Sequence, residues 1–312
     1  MIKMNRSQFT YTSSDQRKIN AYSWQPEDVH TIKAIVQLSH GMAEHIQRYD
    51  AFSHFLTQNG FVVYGNDHRG HGQSVTAPDD RGYFAEKNGF ELVVDDMFRL
   101  TAIAKNAYPD VPVFIFGHSM GSFLTRRYMV KYGKHINGVV LSGTGGDQGF
   151  LGKIGLQLAK LEKRRIGART PSKLLDKLIF GNFNKFIPNA RTPFDFLTRD
   201  EAVVDAYIAD EACGFIESAG FYTDLLYGIN LVHKQEQIER IPKTLPVFLI
   251  AGTEDPVGHF GKGVQKVYEQ YQSEKLLDIQ MHLYEGSRHE LLNEWNKDEV
   301  YNDVLAWLEE RV

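Results

Sequence analysis

Short apolar runs recur along this chain with helical periodicity between them, and that alternation limits the folds it can adopt. The runs are "AIVQLSHG" (34–41), "FVVYGND" (61–67), the stretch opening at Val113, "GVVLSGTG" (138–145), "TLPVFLIAG" (244–252) and "LDIQMHLYEG" (277–286). Between the first two, Tyr49, Phe52, Phe55 and Leu56 mark one helix face, which Asn59–Gly60 stops. Val93, Met97, Leu100 and Ala104 repeat at helical spacing and end before Pro109. Parallel strands need a crossover, usually a helix, so the pattern predicts an α/β fold: a mostly parallel central sheet flanked by helices. "QFTYT" and "INAYSW" alternate as edge strands do, a helix is expected near 261–271, and Val300–Val312 reads as a closing helix.

The rhythm breaks once. From 146 to 238 there are helical patterns and loops without a convincing strand, and the alternation then resumes. The expected organisation is a core of residues 1–145 and 239–312, interrupted by a helical cap over 146–238. An insertion of this size belongs over the carboxyl ends of the strands, where such sheets bind ligands.

In "VFIFGHSMGSFLTRRYM" (113–129), Val113 to Phe116 read as a buried strand, while Phe123, Leu124 and Tyr128 fall at helical spacing. Ser119 therefore sits on a strand-to-helix turn between Gly117 and Gly121, where glycine relieves crowding and tolerates unusual dihedrals. A serine hydroxyl becomes a useful nucleophile only when a base takes its proton, usually a histidine oriented by a carboxylate. On a turn of this kind the partners follow in the order serine, acid, histidine. "VFLIAGTEDPV" offers Glu254 and Asp255 after a late strand, with Pro256 favouring a turn behind Asp255. "MHLYEGSRHELLNE" puts His289 in the loop after the last strand. The oxyanion of an acyl-transfer intermediate needs two aimed N–H donors. One is expected from Met120, after the nucleophile, and the other from Met42, in the loop that Gly41 lets turn inward.

Composition narrows the function. A formal charge of −4 gives no basis for binding nucleic acid, and Cys213 alone cannot form an intrachain disulfide. "MIKMNRSQFTYTSSD" lacks the apolar core of a secretory leader, and no window has the apolar length of a spanning helix, which suits a cytoplasmic protein. Asp67, His68 and His71 fit no common metal-ligand spacing, so no metal is expected there.

"HGMAEH", "GNDHRGHGQS", "GHSMGS", "AGTEDPV" and "EGSRHELLNE" together resemble the motif series of the monoacylglycerol lipase and lysophospholipase branch of the α/β-hydrolases, as "FDFLTRDEAVVDAYIAD" (194–210) resembles its bacterial members. The resemblance implies Ser119, Asp255 and His289 as a catalytic triad, with Met42 and Met120 as oxyanion donors and no cofactor. It implies a small acyl ester or lysolipid as substrate, cleaved to a free fatty acid through an acyl-enzyme. "ADEACGF" departs from the proline-leucine-cysteine sequence common there, which leaves head-group and chain-length preference open. Phe150, Leu151, Ile154, Leu156, Leu158, Ile179, Phe180, Phe183, Phe186 and Ile187 suggest an acyl tunnel in the cap. The basic run "KLEKRR" (160–165) is either a solvated face or a point of transient contact with anionic lipid, peripheral to a membrane. An aminopeptidase, thioesterase or general short-chain carboxylesterase could use the same triad. Glu201, Asp205, Asp210 and Glu211 are the acidic groups that could meet a substrate amine. A non-catalytic binding protein would typically lack one of the triad residues.

Overall fold

The computed structural model describes residues 6–27, 32–181 and 183–312; part of the N-terminal stretch read above for a leader, residues 1–5, lies outside them. Eight strands form one sheet: β1 (Arg6–Thr12), β2 (Lys18–Trp24), β3 (Ala34–Ser39), β4 (Phe61–Asn66), β5 (Val113–His118), β6 (Gly138–Ser142), β7 (Val247–Gly252) and β8 (Ile279–Tyr284). Their spatial order is β1-β2-β4-β3-β5-β6-β7-β8. β1 pairs antiparallel with β2, and β2 with β4, while every pairing from β4 to β8 is parallel. The expected α/β sheet is therefore present, with the two alternating N-terminal strands at one edge.

The central strands are apolar on both faces because helices cover both. Ile35, Val113, Ile115, Val139, Leu141, Val247 and Leu249 belong to one core cluster. Their neighbours Val36, Phe114, Phe116, Val140, Phe248 and Ile250 belong to the other, as the two-residue period of a strand requires. Helices α1 (Asp50–Gln58) and α10 (Lys297–Glu309) supply Phe52, Leu56, Val304 and Trp307 to the second cluster. On the first face lie α2 (Gly89–Ala107), α3 (Met120–Tyr132) and α9 (Lys262–Ser273).

Between β6 and β7 the chain runs through α4 (Gly149–Ile166), α5 (Lys173–Phe180), α6 (Glu201–Ala209), α7 (Ala219–Val232) and the short α8 (Gln235–Ile238). Its β structure among the described residues is one isolated bridge, Pro171 with Ser218. α7 fixes this segment to the sheet's helical layer, because Phe221, Tyr222 and Leu225 join the first core cluster. The Phe90 ring of α2 packs directly on the backbone of α7: a Cβ on Gly228 would lie 2.3 Å from it. α4 packs on α7 in turn, so the segment is layered outward from the core.

Candidate active site

β5 ends at His118 and α3 begins at Met120, so Ser119 alone carries the turn. Its φ of 52° and ψ of −118° are rare for a residue with a side chain and cost about 1–3 kcal/mol unless neighbours hold them. They do: Ser119 N–H donates to the Ser142 carbonyl at 2.9 Å, and the Ser119 carbonyl accepts from Ser122 N–H at 2.9 Å and Ser122 Oγ at 2.6 Å. Both flanking glycines are places of backbone contact. A Cβ on Gly121 would stand 2.0 Å from the Ser39 carbonyl oxygen, and one on Gly117 would stand 2.6 Å from the Gly121 carbonyl oxygen. The pattern Gly-His-Ser-Met-Gly thus follows from packing a helix start against two strand ends.

His289 follows β8 and Asp255 follows β7. His289 Nδ1 lies 3.0 Å from Asp255 Oδ2, and Asp255 Oδ1 accepts from Val257 N–H at 2.9 Å. A buried carboxylate at Nδ1 fixes the proton there and leaves Nε2 as the basic nitrogen. Glu254 is half-exposed and lies 3.9 Å from Arg288, so of the two adjacent acids Asp255 is the one that reaches the histidine. Ser119 and His289 line one cavity of about 500 Å³. Among the described residues no hydrogen bond joins Ser119 Oγ to His289, a contact that commonly tightens only when substrate arrives. Burial pulls the His289 pKa down, but the charge and hydrogen bond of Asp255, with the charges of Glu290 and Glu44, outweigh it and raise the net value. Burial holds the neighbouring His118 neutral, down to about 4.

Met42 and Met120 also line this cavity. Gly41 brings its loop against the turn, since a Cβ there would lie 3.3 Å from Ser119 Cβ. The N–H groups of Met42 and Met120 donate to no acceptor among the described residues, as expected of amides left free for a ligand.

A buried charge cluster beside the site was not read from the sequence as a unit. Arg48 binds both oxygens of Glu290, at 2.6 and 2.7 Å, and Glu44 Oε2 at 2.7 Å. Burial would raise the Glu290 carboxyl, but Arg48 holds it well below the usual carboxylate range. Glu44 and Arg48 are four residues apart on one turn and so are legible as a pair, whereas Glu290 is 242 positions further on.

Other expected contacts lie elsewhere. Glu201 and Asp205 pair with Arg191 at the surface, Asp210 pairs with His45 at 2.8 Å, and Glu211 is exposed; none lines the cavity. Asp67 accepts the N–H groups of Ile46 and Gln73, while His68 N–H donates to His40 Nε2 and His71 Nδ1 meets the Arg69 carbonyl, which makes that stretch a turn scaffold. Cys213 is buried, and burial pushes its thiol pKa up. Of the ten cap residues expected at a tunnel, Ile179, Phe180 and Phe183 line the cavity. Phe150, Leu151, Ile154, Leu158 and Phe186 instead sit on the outer surface, because helical periodicity reveals an apolar face without revealing what it faces. Phe194, Phe196, Leu197, Phe215 and Leu225 supply much of the remaining apolar wall. No helix among the described residues is long and apolar enough to cross a membrane.

The profile of the Hydrolase_4 family, described as "Serine aminopeptidase, S33", matches residues 30–296. The chain is 30% identical to the monoglyceride lipase of Mus musculus over 296 residues, covering 93% of this chain and 86% of that one. It is 28% identical to the monoacylglycerol lipase of Mycolicibacterium smegmatis over 314 residues, 99% of each. Among solved structures, a thermostable carboxyl esterase from Bacillus coagulans superposes with a TM-score of 0.91 at 26% identity, over 99% of both chains. The chain therefore belongs to the Hydrolase_4 family of α/β-hydrolases, in the branch that resembles monoglyceride lipase, and is a serine ester hydrolase.

Proposed function

We propose that this chain cleaves monoacylglycerols, and the related lysophospholipids, through an acyl-enzyme on Ser119. The carrying observation is that one cavity joins Ser119, His289, Met42 and Met120 to apolar walls from Ile179, Phe180, Phe196 and Leu225. Ser119 Oγ attacks the ester carbonyl carbon as His289 Nε2 takes its proton, and Asp255 stabilises the imidazolium. The Met42 and Met120 amides bind the oxyanion. Collapse breaks the bond to the leaving alcohol, which takes the proton from His289. Water then repeats the sequence, its proton passing through His289 back to Ser119 as the fatty acid departs.

In this reading residues 146–238 act as the cap that houses the acyl chain. Each methylene moved from water into an apolar channel contributes about 0.8 kcal/mol, enough for chain length to govern affinity. The cap's outer face supports transient contact with a lipid surface: Phe150, Leu151, Leu158, Leu161, Leu174 and Leu178 are exposed there beside the basic run 160–165. A short-chain carboxylesterase is the second reading, favoured by the likeness to the Bacillus coagulans carboxyl esterase. Aminopeptidase action finds less support, because Glu201, Asp205, Asp210 and Glu211 lie outside the cavity.

A p-nitrophenyl ester series tests the choice. We expect kcat/KM to rise from acetate to at least octanoate by about two- to threefold per methylene, somewhat below the full transfer value. A peak at acetate, or faster cleavage of aminoacyl amides than of any long-chain ester, overturns the lipase reading and leaves the serine chemistry in place.

A further inference from the structure

The loop from His40 to His45 is held by its own hydrogen bonds and by ties to other parts of the molecule. Gly41 N–H donates to Glu44 Oε1 at 2.5 Å, and the Gly41 carbonyl accepts from His40 Nδ1 at 2.7 Å. His40 Nε2 is occupied as an acceptor from His68 N–H at 2.9 Å, which puts the ring's proton on Nδ1. The Gly41 carbonyl and the Met42 N–H belong to one planar trans peptide and point in opposite directions, so tying the first aims the second.

On the other side of Met42, Ala43 N–H donates to His71 Nε2 at 3.2 Å, and the next peptide along is held from the inserted segment. The Ala43 carbonyl accepts two hydrogen bonds, from Tyr207 Oη at 2.8 Å and from Gly214 N–H at 2.9 Å. Ala43 has a φ of 51°, a left-handed conformation that costs a residue with a Cβ about 1–2 kcal/mol. Such a conformation persists only where the surroundings over-determine it. Tyr207 is itself fixed: it is buried at the end of α6, and the Arg48 guanidinium sits 4.8 Å from its ring centre. A second tie runs beside it, from His45 Nε2 to Asp210 Oδ2 at 2.8 Å.

We propose that Tyr207 is a positioning residue of the oxyanion hole, acting with Gly214 through the Ala43 carbonyl to keep the Met42 N–H aimed at the cavity. This rests on the reading of Met42 as an oxyanion donor. The segment that walls the acyl channel and the loop that binds the oxyanion are then one mechanical unit. Displacing α6 would open the cavity and misdirect the donor in the same movement, so the hole is complete only when the segment is seated.

The test is Tyr207→Phe, which keeps the ring and its contact with Arg48 but deletes the donor. We expect kcat for p-nitrophenyl esters to fall about three- to tenfold, the range that one lost hydrogen bond supplies, with KM unchanged. The loss should be the same for acetate and octanoate, because the oxyanion is common to both. The Ki of an alkyl trifluoromethyl ketone, whose serine adduct carries the same oxyanion, should rise by the matching factor. Fluorophosphonate titration counts competent sites, so that kcat is expressed per labelled serine. Unchanged per-site kcat and Ki overturn the proposal, even if the variant melts at a lower temperature. Tyr207 also lines the cavity, so a loss that grows with acyl length, or a rise in KM alone, overturns the proposal and makes Tyr207 a substrate contact instead. If Tyr207→Phe does not fold, Tyr207→Met is measured in the same way. Failure of wild-type Ser119 to label would instead sink the underlying serine mechanism, which separates the two claims.

Discussion

The turn at Ser119 and the outer helices of the inserted segment are built on opposite terms. Around Ser119 everything is buried, and the flanking glycines have carbonyl oxygens where a Cβ would stand, at 2.0 Å for Gly121. In α4 and α5, by contrast, Phe150 is 76% exposed, Leu151 73% and Leu178 58%, and their apolar side chains contribute little to folding. The difference separates two tasks. In the proposed mechanism the turn fixes atoms for bond-making, where a displacement of 1 Å can cost about a hundredfold in rate. In the same proposal the outer helices offer adaptable surface to a lipid film, where tolerance is useful.

Substitutions in the two regions should therefore differ by orders of magnitude. At the rigid end, Asp255→Asn should lower kcat by about 10³–10⁴-fold by destabilising the working tautomer of His289. Glu254→Gln, at a half-exposed side chain facing Arg288, should change kcat less than about threefold. Steady-state kinetics on both variants checks this, and the reverse ranking would move the acid by one residue.

At the soft end, Leu174→Ser with Leu178→Ser should weaken binding to anionic phospholipid vesicles by about fivefold for each leucine, from lost apolar burial. Hydrolysis of a soluble butyrate ester should stay within a factor of two, since neither leucine lines the cavity. Flotation assays and ester kinetics measure the two effects separately. Equal vesicle binding by wild type and variant would remove the outer face from the account.

The smallest expected effect is electrostatic. His289 must be neutral to act as a base, and its pKa is raised above the ordinary value. The acid limb of kcat/KM should accordingly lie above about pH 6.5, activity being lost as pH falls through it. Glu290→Gln removes one of the charges that favour the imidazolium, so the limb should move to lower pH. A limb that moves upward would contradict that arrangement of charges.

The same contrast explains what could be read in the sequence. Strand and helix periods are local, so the sheet, the turn at Ser119 and the placement of His289 after β8 were legible from a few residues each. Asp255 and Glu254 are equivalent in one dimension; only the buried 3.0 Å contact with His289 Nδ1 separates them. The bonds from Arg48 to Glu290 and from Tyr207 to Ala43 span 242 and 164 positions, beyond the reach of any local pattern. In α4 the abundance of large apolar residues leaves open whether they meet a core, a ligand or solvent. Ile154 and Leu158 prove to face outward.

That Ser119 carries the acyl group can be read by rapid acid quenching of the enzyme during turnover of p-nitrophenyl octanoate. Peptide mass spectrometry of wild type should find an octanoyl ester on Ser119. Ser119→Ala should carry no adduct and should lose at least about 10³-fold in kcat while remaining folded. An acyl group on another residue, or retention of more than about a tenth of wild-type kcat by Ser119→Ala, would contradict the claim.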